Sequence, residues 1–207
     1  MKSFRIQPND YLQGHRAENI KAYYHTEYTG WRNVGNPDYL NILKNTFNSY
    51  SDDILRTAVE QLREALLEDL PQIPMLLGIS PLVVCVVPRA KAENFYYPQQ
   101  QLFRATVQQV IQQIPIFIDG TRYLLRHTNT KTTHFRRPVP NYNNDGPAPY
   151  PGITKDTCHI STEVSDKDIL LVDDIYTRGV NVDEDAVNAL LDAGARSVTF
   201  YAVGYTV

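Results

Sequence analysis

Short apolar runs alternate with segments of helical spacing over the second half of this chain. Residues 99–114 carry their apolar side chains on one helical face, and so does the stretch from Ala186 to Leu191. The apolar runs around them predict buried strands at 82–87, 116–118, 169–172 and 198–203. Strands that alternate with helices predict an α/β fold built on a doubly wound, mainly parallel sheet.

The first 80 residues have a different character. Apolar residues recur at helical spacing from Leu55 to Leu70, so a helix is expected to begin after Ser51 and to end at Pro71. Residues 1 to about 50 are polar and rich in tyrosine. We therefore predict an α-rich N-terminal cap, or hood, over residues 1–80 and an α/β core over residues 81–207. An extended binding surface is the alternative for the first 50 residues.

The alternation fails between residues 121 and 156, where prolines are frequent and no apolar period is visible. A segment this long without regular structure is usually functional or contains an unrecognised element. We predict a flexible loop, with a β-hairpin as the alternative for part of it. Its basic residues lie in a window without acidic residues, and they are either solvated charges or a clamp for a polyanion: Arg122, Arg126, Lys131, Arg136 and Arg137.

Composition narrows the class of protein. The chain has 207 residues, of which 43% are hydrophobic and 21% charged, as in an ordinary globular protein. Its net charge of −3 argues against a general nucleic-acid or membrane binder, because both need a basic surface. No apolar run is long enough to span a bilayer, and the start lacks the apolar core of a signal peptide, so a cytoplasmic location is expected. Cys85 and Cys158 are expected to be reduced core thiols.

The most informative segment runs from residue 169 to residue 181. An apolar strand leads into two adjacent carboxylates, Asp173 and Asp174, and a short Thr/Gly turn then precedes a helix. A buried parallel strand delivers its C-terminal end to the ligand crevice of an open α/β sheet. The loop after it, with the N-terminus of the helix, forms an anion site. A ligand with both hydroxyls and a phosphate, such as a ribose 5-phosphate, satisfies both features.

This segment resembles the phosphoribosyl pyrophosphate (PRPP) signature of type I phosphoribosyltransferases. In that signature, four apolar residues, two acidic residues and two variable positions precede Thr-Thr-Gly-Ala/Gly-Thr/Ser. The resemblance implies that Asp173 and Asp174 hold the ribose 2- and 3-hydroxyls and act as the catalytic carboxylates. It also implies that the 5-phosphate is bound by the loop of Thr177, Arg178, Gly179, Val180 and Asn181. Arg178 and Asn181 depart from the family pattern, in which small hydroxyl residues are usual.

Outside the signature, the local sequence most resembles the competence-protein F (ComF) branch of these enzymes. There, a Leu-x-Arg-x-x-x-Thr-x-x-Gln run precedes the flexible loop. Here Leu124-Leu125-Arg126 is followed by Thr130, but Thr133 replaces the glutamine, and the zinc-binding cysteines common at the start of that branch are missing. The resemblance implies pyrophosphate contacts from the loop after the first core strand and from the flexible loop, through Arg89, Lys91, Arg122, Arg126 and Lys131.

These features predict Mg-PRPP-dependent phosphoribosyl transfer, with pyrophosphate release, to an unidentified acceptor of which a nucleobase is one candidate. Mg²⁺ is the expected cofactor and is carried by PRPP. No metal site made of protein ligands is expected, because the histidines and cysteines lack zinc-ligand spacings. A homodimer is the expected assembly. Two alternatives stay open: a catalytically inactive PRPP- or nucleotide-binding regulatory protein, and a single-strand nucleic-acid surface on the basic loop, which the net acidity disfavours.

Overall fold

A computed structural model describes residues 1–10, 12–132, 139–140, 142–148 and 152–207. A six-stranded mixed sheet forms its centre. In spatial order, its strands are β1 (Lys2–Arg5), β2 (Lys21–Tyr28), β8 (Ser197–Thr206), β7 (Asp168–Tyr176), β3 (Leu82–Val86) and β4 (Phe117–Asp119). β1 runs antiparallel to β2, and every other neighbouring pair is parallel.

Six α-helices, three short 3-10 helices and a small second sheet accompany the central sheet in the described residues. The α-helices are α1 (Gly14–Glu18), α2 (Tyr39–Lys44), α3 (Asp52–Asp69), α4 (Gln72–Leu77), α5 (Leu102–Ile111) and α6 (Val182–Asp192). The second sheet pairs β5 (Leu124–Arg126) with β6 (Cys158–Ile160) in antiparallel register. The prediction of an α/β fold with a mainly parallel sheet is confirmed. No helix in the described ranges has the length and apolar character that crossing a membrane requires.

The central sheet separates two hydrophobic cores, because successive side chains of a strand point to opposite faces. On one face, Ile169 and Leu171 of β7 pack with Leu190 of α6. On the other face, Leu170 and Val172 pack with α2, α3 and α5. Cys85 and Cys158 are buried free thiols in the first of these cores.

The N-terminal region corrects the prediction of an α-rich cap over residues 1–80. β1 and β2 are strands of the central sheet, and β2 pairs with β8 from Ala22 opposite Phe200 to Tyr28 opposite Thr206. Helical structure dominates only farther along, in α2, α3 and α4. The strand was missed because most β2 side chains are only partly buried and polar, so no apolar run marks it.

The segment from residue 121 to residue 156 contains regular structure at its start. β5 pairs in antiparallel register with β6, which lies just past the end of the segment. The two strands therefore enclose the segment, an arrangement close to the β-hairpin given above as the alternative. Thr133, Arg136 and Arg137 lie outside the described residues.

Candidate ligand-binding cleft

The order of the strands creates a crevice between the C-terminal ends of β3 and β7. From β3 the chain passes to β4 on one side and then returns to β7 on the other side. Ligands of open α/β sheets bind where the strand order reverses in this way. The amide of Val87 donates to the carbonyl of Val172 at 3.0 Å, and beyond that bond β7 continues beside β8 alone. Asp173 and Asp174 therefore lie within the strand, at an edge that β3 leaves open.

The two adjacent carboxylates meet different neighbours. Asp174 forms an ion pair with Lys44 of α2, at 3.3 Å between Nζ and Oδ1. The carboxyl group of Asp173 lies close to that of Asp183 of α6, whose residue surface is only 5% exposed. Two carboxylates placed this close disfavour each other's ionised form. Burial, followed by the charge of Asp174, raises the pKa of Asp173 to about 7, and burial with the nearby Asp173 also raises the pKa of Asp183.

Lys44 is a site residue that the sequence did not single out. Burial opposes its charge, but the carboxylates of Asp174 and Asp173 outweigh burial, and the pKa of Lys44 is raised. Its own carbonyl oxygen accepts a 2.7 Å hydrogen bond from Arg89. One feature of the sequence could have pointed to Lys44. Its position relative to the buried Leu40 and Leu43 places it at the edge of the buried face of α2.

Three of the predicted basic residues line the other side of the crevice. Arg126 is 4% exposed and donates to the carbonyls of Arg89 and Gly152, at 2.7 and 2.8 Å. Lys91 is 2% exposed and donates to the carbonyl of Asp145 at 2.9 Å. Arg89 donates to the carbonyls of Lys44 and Gln100, and its guanidinium lies 4.2 Å from the ring centre of Tyr96.

Each of these three cations is therefore held by backbone oxygens. None of them forms an ion pair in the part of the chain that the structure describes. Burial lowers the pKa of Lys91 and that of Arg126. Buried positive charge without a counter-ion is costly, so an anionic ligand at this wall gains strongly from binding.

Arg122 and Lys131 are not brought to the crevice. Arg122 pairs with Glu93 at 2.7 Å, and Glu93 also pairs with Arg104. The side chain of Lys131 is exposed, and its amide donates to Pro147 at 2.9 Å. Of the described basic residues in this loop, Arg126 is therefore buried, Lys131 faces solvent and Arg122 has an acidic partner.

Three contiguous cavities surround the acidic pair, and all three are lined by Lys44, Asp173 and Asp174. The first has a volume of about 600 Å³ and mostly apolar walls. The second, of about 710 Å³, is more polar and includes Thr130 and Thr132. The third extends toward the loop after β7. Shared lining residues make these cavities one cleft centred on the acidic pair.

The predicted phosphate loop connects β7 to α6 by a tight turn. Gly179 and Asn181 have φ angles of +79° and +66°, and the amide of Val180 donates to the carbonyl of Thr177 at 3.1 Å. The Asn181 side chain accepts from Asn9 at 3.0 Å, and the Thr177 hydroxyl lies 2.7 Å from that of Thr206. The side chains of Thr177 and Asn181 are therefore already engaged within the protein.

Arg178 points away from the cleft. Its side chain is exposed and donates to the Tyr205 hydroxyl at 3.4 Å. It therefore does not narrow the cavity beside the acidic pair.

The described residues contain no group of three histidine, cysteine, aspartate or glutamate side chains that would hold a metal ion. A scan of known protein families gives no match to this chain, and no curated protein is significantly similar to it.

Proposed function

We propose that this protein binds Mg²⁺–PRPP in the cleft and transfers its ribosyl phosphate to an acceptor with release of pyrophosphate. One observation carries the proposal: a carboxylate pair and a wall of cations without counter-ions line the same cleft. Asp173 and Asp174 supply the first, and Arg89 and Arg126 supply the second. A ligand that joins vicinal hydroxyls to a diphosphate has the complementary chemistry. The strand order and the signature at the switch point support a phosphoribosyltransferase-like fold.

The ribose would lie across the open edge of β7, with its 2- and 3-hydroxyls donating to Asp173 and Asp174. The diphosphate would bind the guanidinium groups of Arg89 and Arg126 beside Thr130, in the polar cavity. The 5-phosphate would bind the backbone amides of residues 177–181 at the start of α6.

The residues present fit Mg²⁺ bound chiefly through the diphosphate. Mg²⁺ keeps several waters and adds one or two carboxylates to substrate phosphate oxygens. The Asp174 side chain is 20% exposed and Asp173 is also only partly buried, so both carboxylates can face such an ion. When bound, the metal would offset the charge of the leaving pyrophosphate.

In the transfer step, a lone pair of the acceptor forms a bond to C1 of the ribose. The bond between C1 and the diphosphate oxygen breaks, and its electron pair leaves with pyrophosphate. Positive charge develops on the ribose ring as the leaving group departs. The carboxylates of Asp173 and Asp174 are placed to stabilise that charge in a partly buried site.

Calorimetric titration of PRPP with Mg²⁺ tests the proposal. We expect saturable binding that weakens at least tenfold in the Asp173→Asn/Asp174→Asn double variant, because hydrogen bonds to charged groups contribute about 1.5–3 kcal/mol each. Asp52→Asn/Asp53→Asn is the matched control, since it changes an adjacent and exposed pair at the start of α3. Equal affinity in the two double variants, or no binding by the wild-type protein, would refute it.

A PRPP- or nucleotide-binding regulatory protein without transfer activity is the second candidate. The observation that favours it lies in the phosphate loop, where the side chains of Thr177 and Asn181 are already bonded within the protein. Measuring pyrophosphate release with a panel of acceptors separates the two. Release that depends on Asp173 and Asp174 supports transfer, whereas tight PRPP binding without release supports the regulatory role.

A further inference from the structure

We propose that the apolar cavity beside the acidic pair binds a small anion with a flat apolar body, such as an aromatic carboxylate. This cavity, of about 600 Å³, is the most apolar part of the cleft. It is distinct in character from the polar cavity that is assigned above to the diphosphate.

The walls of the cavity come from three elements. Leu43 belongs to α2, Val86 ends β3, and Phe103 belongs to α5, while Pro88 and the Tyr96 ring complete the lining. Concave sites with mainly apolar and aromatic walls bind flat apolar ligands, and a few polar groups fix their orientation. The cavity thus favours a planar body over a sugar or a free phosphate.

Lys91 is the most deeply buried of the cations that line this cavity. Its side chain lies in the lining, is almost completely buried, and donates to the carbonyl of Asp145, which is one acceptor for an ammonium with three N–H groups. Burial lowers the pKa of Lys91, although the charge of Asp145 opposes the shift. A carboxylate in the cavity would supply a further acceptor and an ion-pair partner.

The cations around Lys91 favour an anion. Arg89, Arg104 and Arg126 also line this cavity, and two of its three acidic residues are paired: Glu93 with Arg104 and Arg122, and Asp174 with Lys44. Lys91 does not line the polar cavity that contains Thr130. Mg²⁺ offsets two charges of a diphosphate, so Arg89 and Arg126 are enough to neutralise the diphosphate in the polar cavity. Lys91 is therefore left to bind a second ligand.

The cavity reaches Asp173 and Asp174, where the proposed ribose would bind. The anion bound here is therefore our candidate for the acceptor. That role rests on the proposed phosphoribosyl transfer, whereas binding of the anion does not.

Benzoate is the probe, and benzamide is its neutral counterpart of the same shape. We expect calorimetry or ligand-observed NMR to detect benzoate binding to the full chain and at least tenfold weaker binding of benzamide. Lys91→Met should weaken benzoate binding at least tenfold, and Lys91→Arg should retain most of it. Lys131→Met is the matched control, because this lysine is exposed and lies outside the cavity, and it should bind benzoate as the wild type does.

Equal binding of the two probes, or unchanged benzoate affinity in Lys91→Met, would overturn the proposal. Gln101→Glu provides a second variant at the half-buried rim of the cavity, where an added carboxylate should repel benzoate. Retained benzoate binding in that variant would also count against the proposal. Titrating PRPP separately distinguishes the two ideas, since benzoate binding without PRPP binding supports this pocket and refutes the proposed function.

Discussion

Asp183 changes the chemistry of the cleft although it was not among the predicted site residues. It lies in the first turn of α6, where an acidic residue is ordinary because it faces the positive end of the helix. The fold brings its carboxyl group close to Asp173, and burial with neighbouring carboxylate charge raises the pKa of both groups. The acidic pair of the sequence is thus a group of three carboxyls, with Lys44 as its cation.

The raised pKa values of Asp173 and Asp183 predict a pH-dependent stability. Between the ordinary aspartate pKa of about 4 and the raised value of about 7 for Asp173, the folded protein binds more protons than the unfolded chain. The free energy of unfolding therefore falls as pH rises through this window. We expect Asp183→Asn to stabilise the protein at pH 8 by on the order of 1 kcal/mol and to have little effect at pH 4.

Urea unfolding of wild type and variant at the two pH values measures this difference. Asp156→Asn is the control, because its side chain is exposed and the change should have little effect at either pH. A difference between Asp183→Asn and wild type that is the same at pH 4 and pH 8 would contradict the raised pKa values.

The sequence placed Asp173, Asp174 and Arg89 in one site because each follows or ends a strand at the same edge of the predicted sheet, and the family resemblance added Arg126 from the flexible loop. That argument could not identify Lys44 as a site residue. It comes from a short helix in a region without a recognisable motif, and it approaches Asp174 only through the packing of α2 on the sheet. Long-range packing of this kind leaves no local pattern.

Asp69 shows how one helix is fixed to the sheet. It lies in the last turn of α3 and is fully buried, and its Oδ2 lies 3.0 Å from His25 Nδ1 of β2 and accepts from the Tyr201 hydroxyl of β8 at 3.0 Å. Burial opposes its charge, but the bonds from His25 and Tyr201 outweigh burial and lower the pKa of Asp69. On the buried face of α3, the Asp69 carboxylate therefore takes the place of an apolar side chain in holding the helix to the sheet.

Replacing this carboxylate should loosen α3 from the sheet. We expect Asp69→Ala to lower the free energy of unfolding by about 3 kcal/mol, because His25 and Tyr201 lose their buried partner. Glu68→Ala, in the same turn but exposed, should change it by less than about 0.5 kcal/mol. Urea denaturation of the two variants checks this, and equal stabilities would contradict the role of Asp69.

Elements with a clear apolar pattern were predictable, and elements without one were not. α3 begins after Ser51 and ends just before Pro71, as its leucine spacing predicts. β7 continues through the acidic pair to Tyr176, because pairing with β8 holds the backbone extended after the apolar run has ended. β2 is half-exposed and polar, and its pairing with β8 rather than its sequence makes it a strand.

The whole molecule has two cores on opposite faces of one sheet. Leu40 of α2 belongs to one core and Leu190 of α6 to the other, and both side chains are fully buried. Since the strands between them belong to both cores, the N-terminal region and the α/β region should unfold together.

We expect Leu40→Ala and Leu190→Ala each to lower the free energy of unfolding by about 2–5 kcal/mol and to shift a single transition. Circular dichroism and intrinsic fluorescence should report the same midpoint in each variant. An early, separate transition in Leu40→Ala would contradict this coupling and make residues 1–80 an independent unit.

The alternation of side chains along β7 has a consequence for communication within the molecule. Asp173 reaches the α6 side of the sheet through Asp183, and Asp174 reaches the α2 side through Lys44. A ligand held by both carboxylates is therefore in contact with both cores at once. A change in packing on either face should therefore alter ligand binding directly. A bound ligand should in turn stabilise both layers of helices against the sheet.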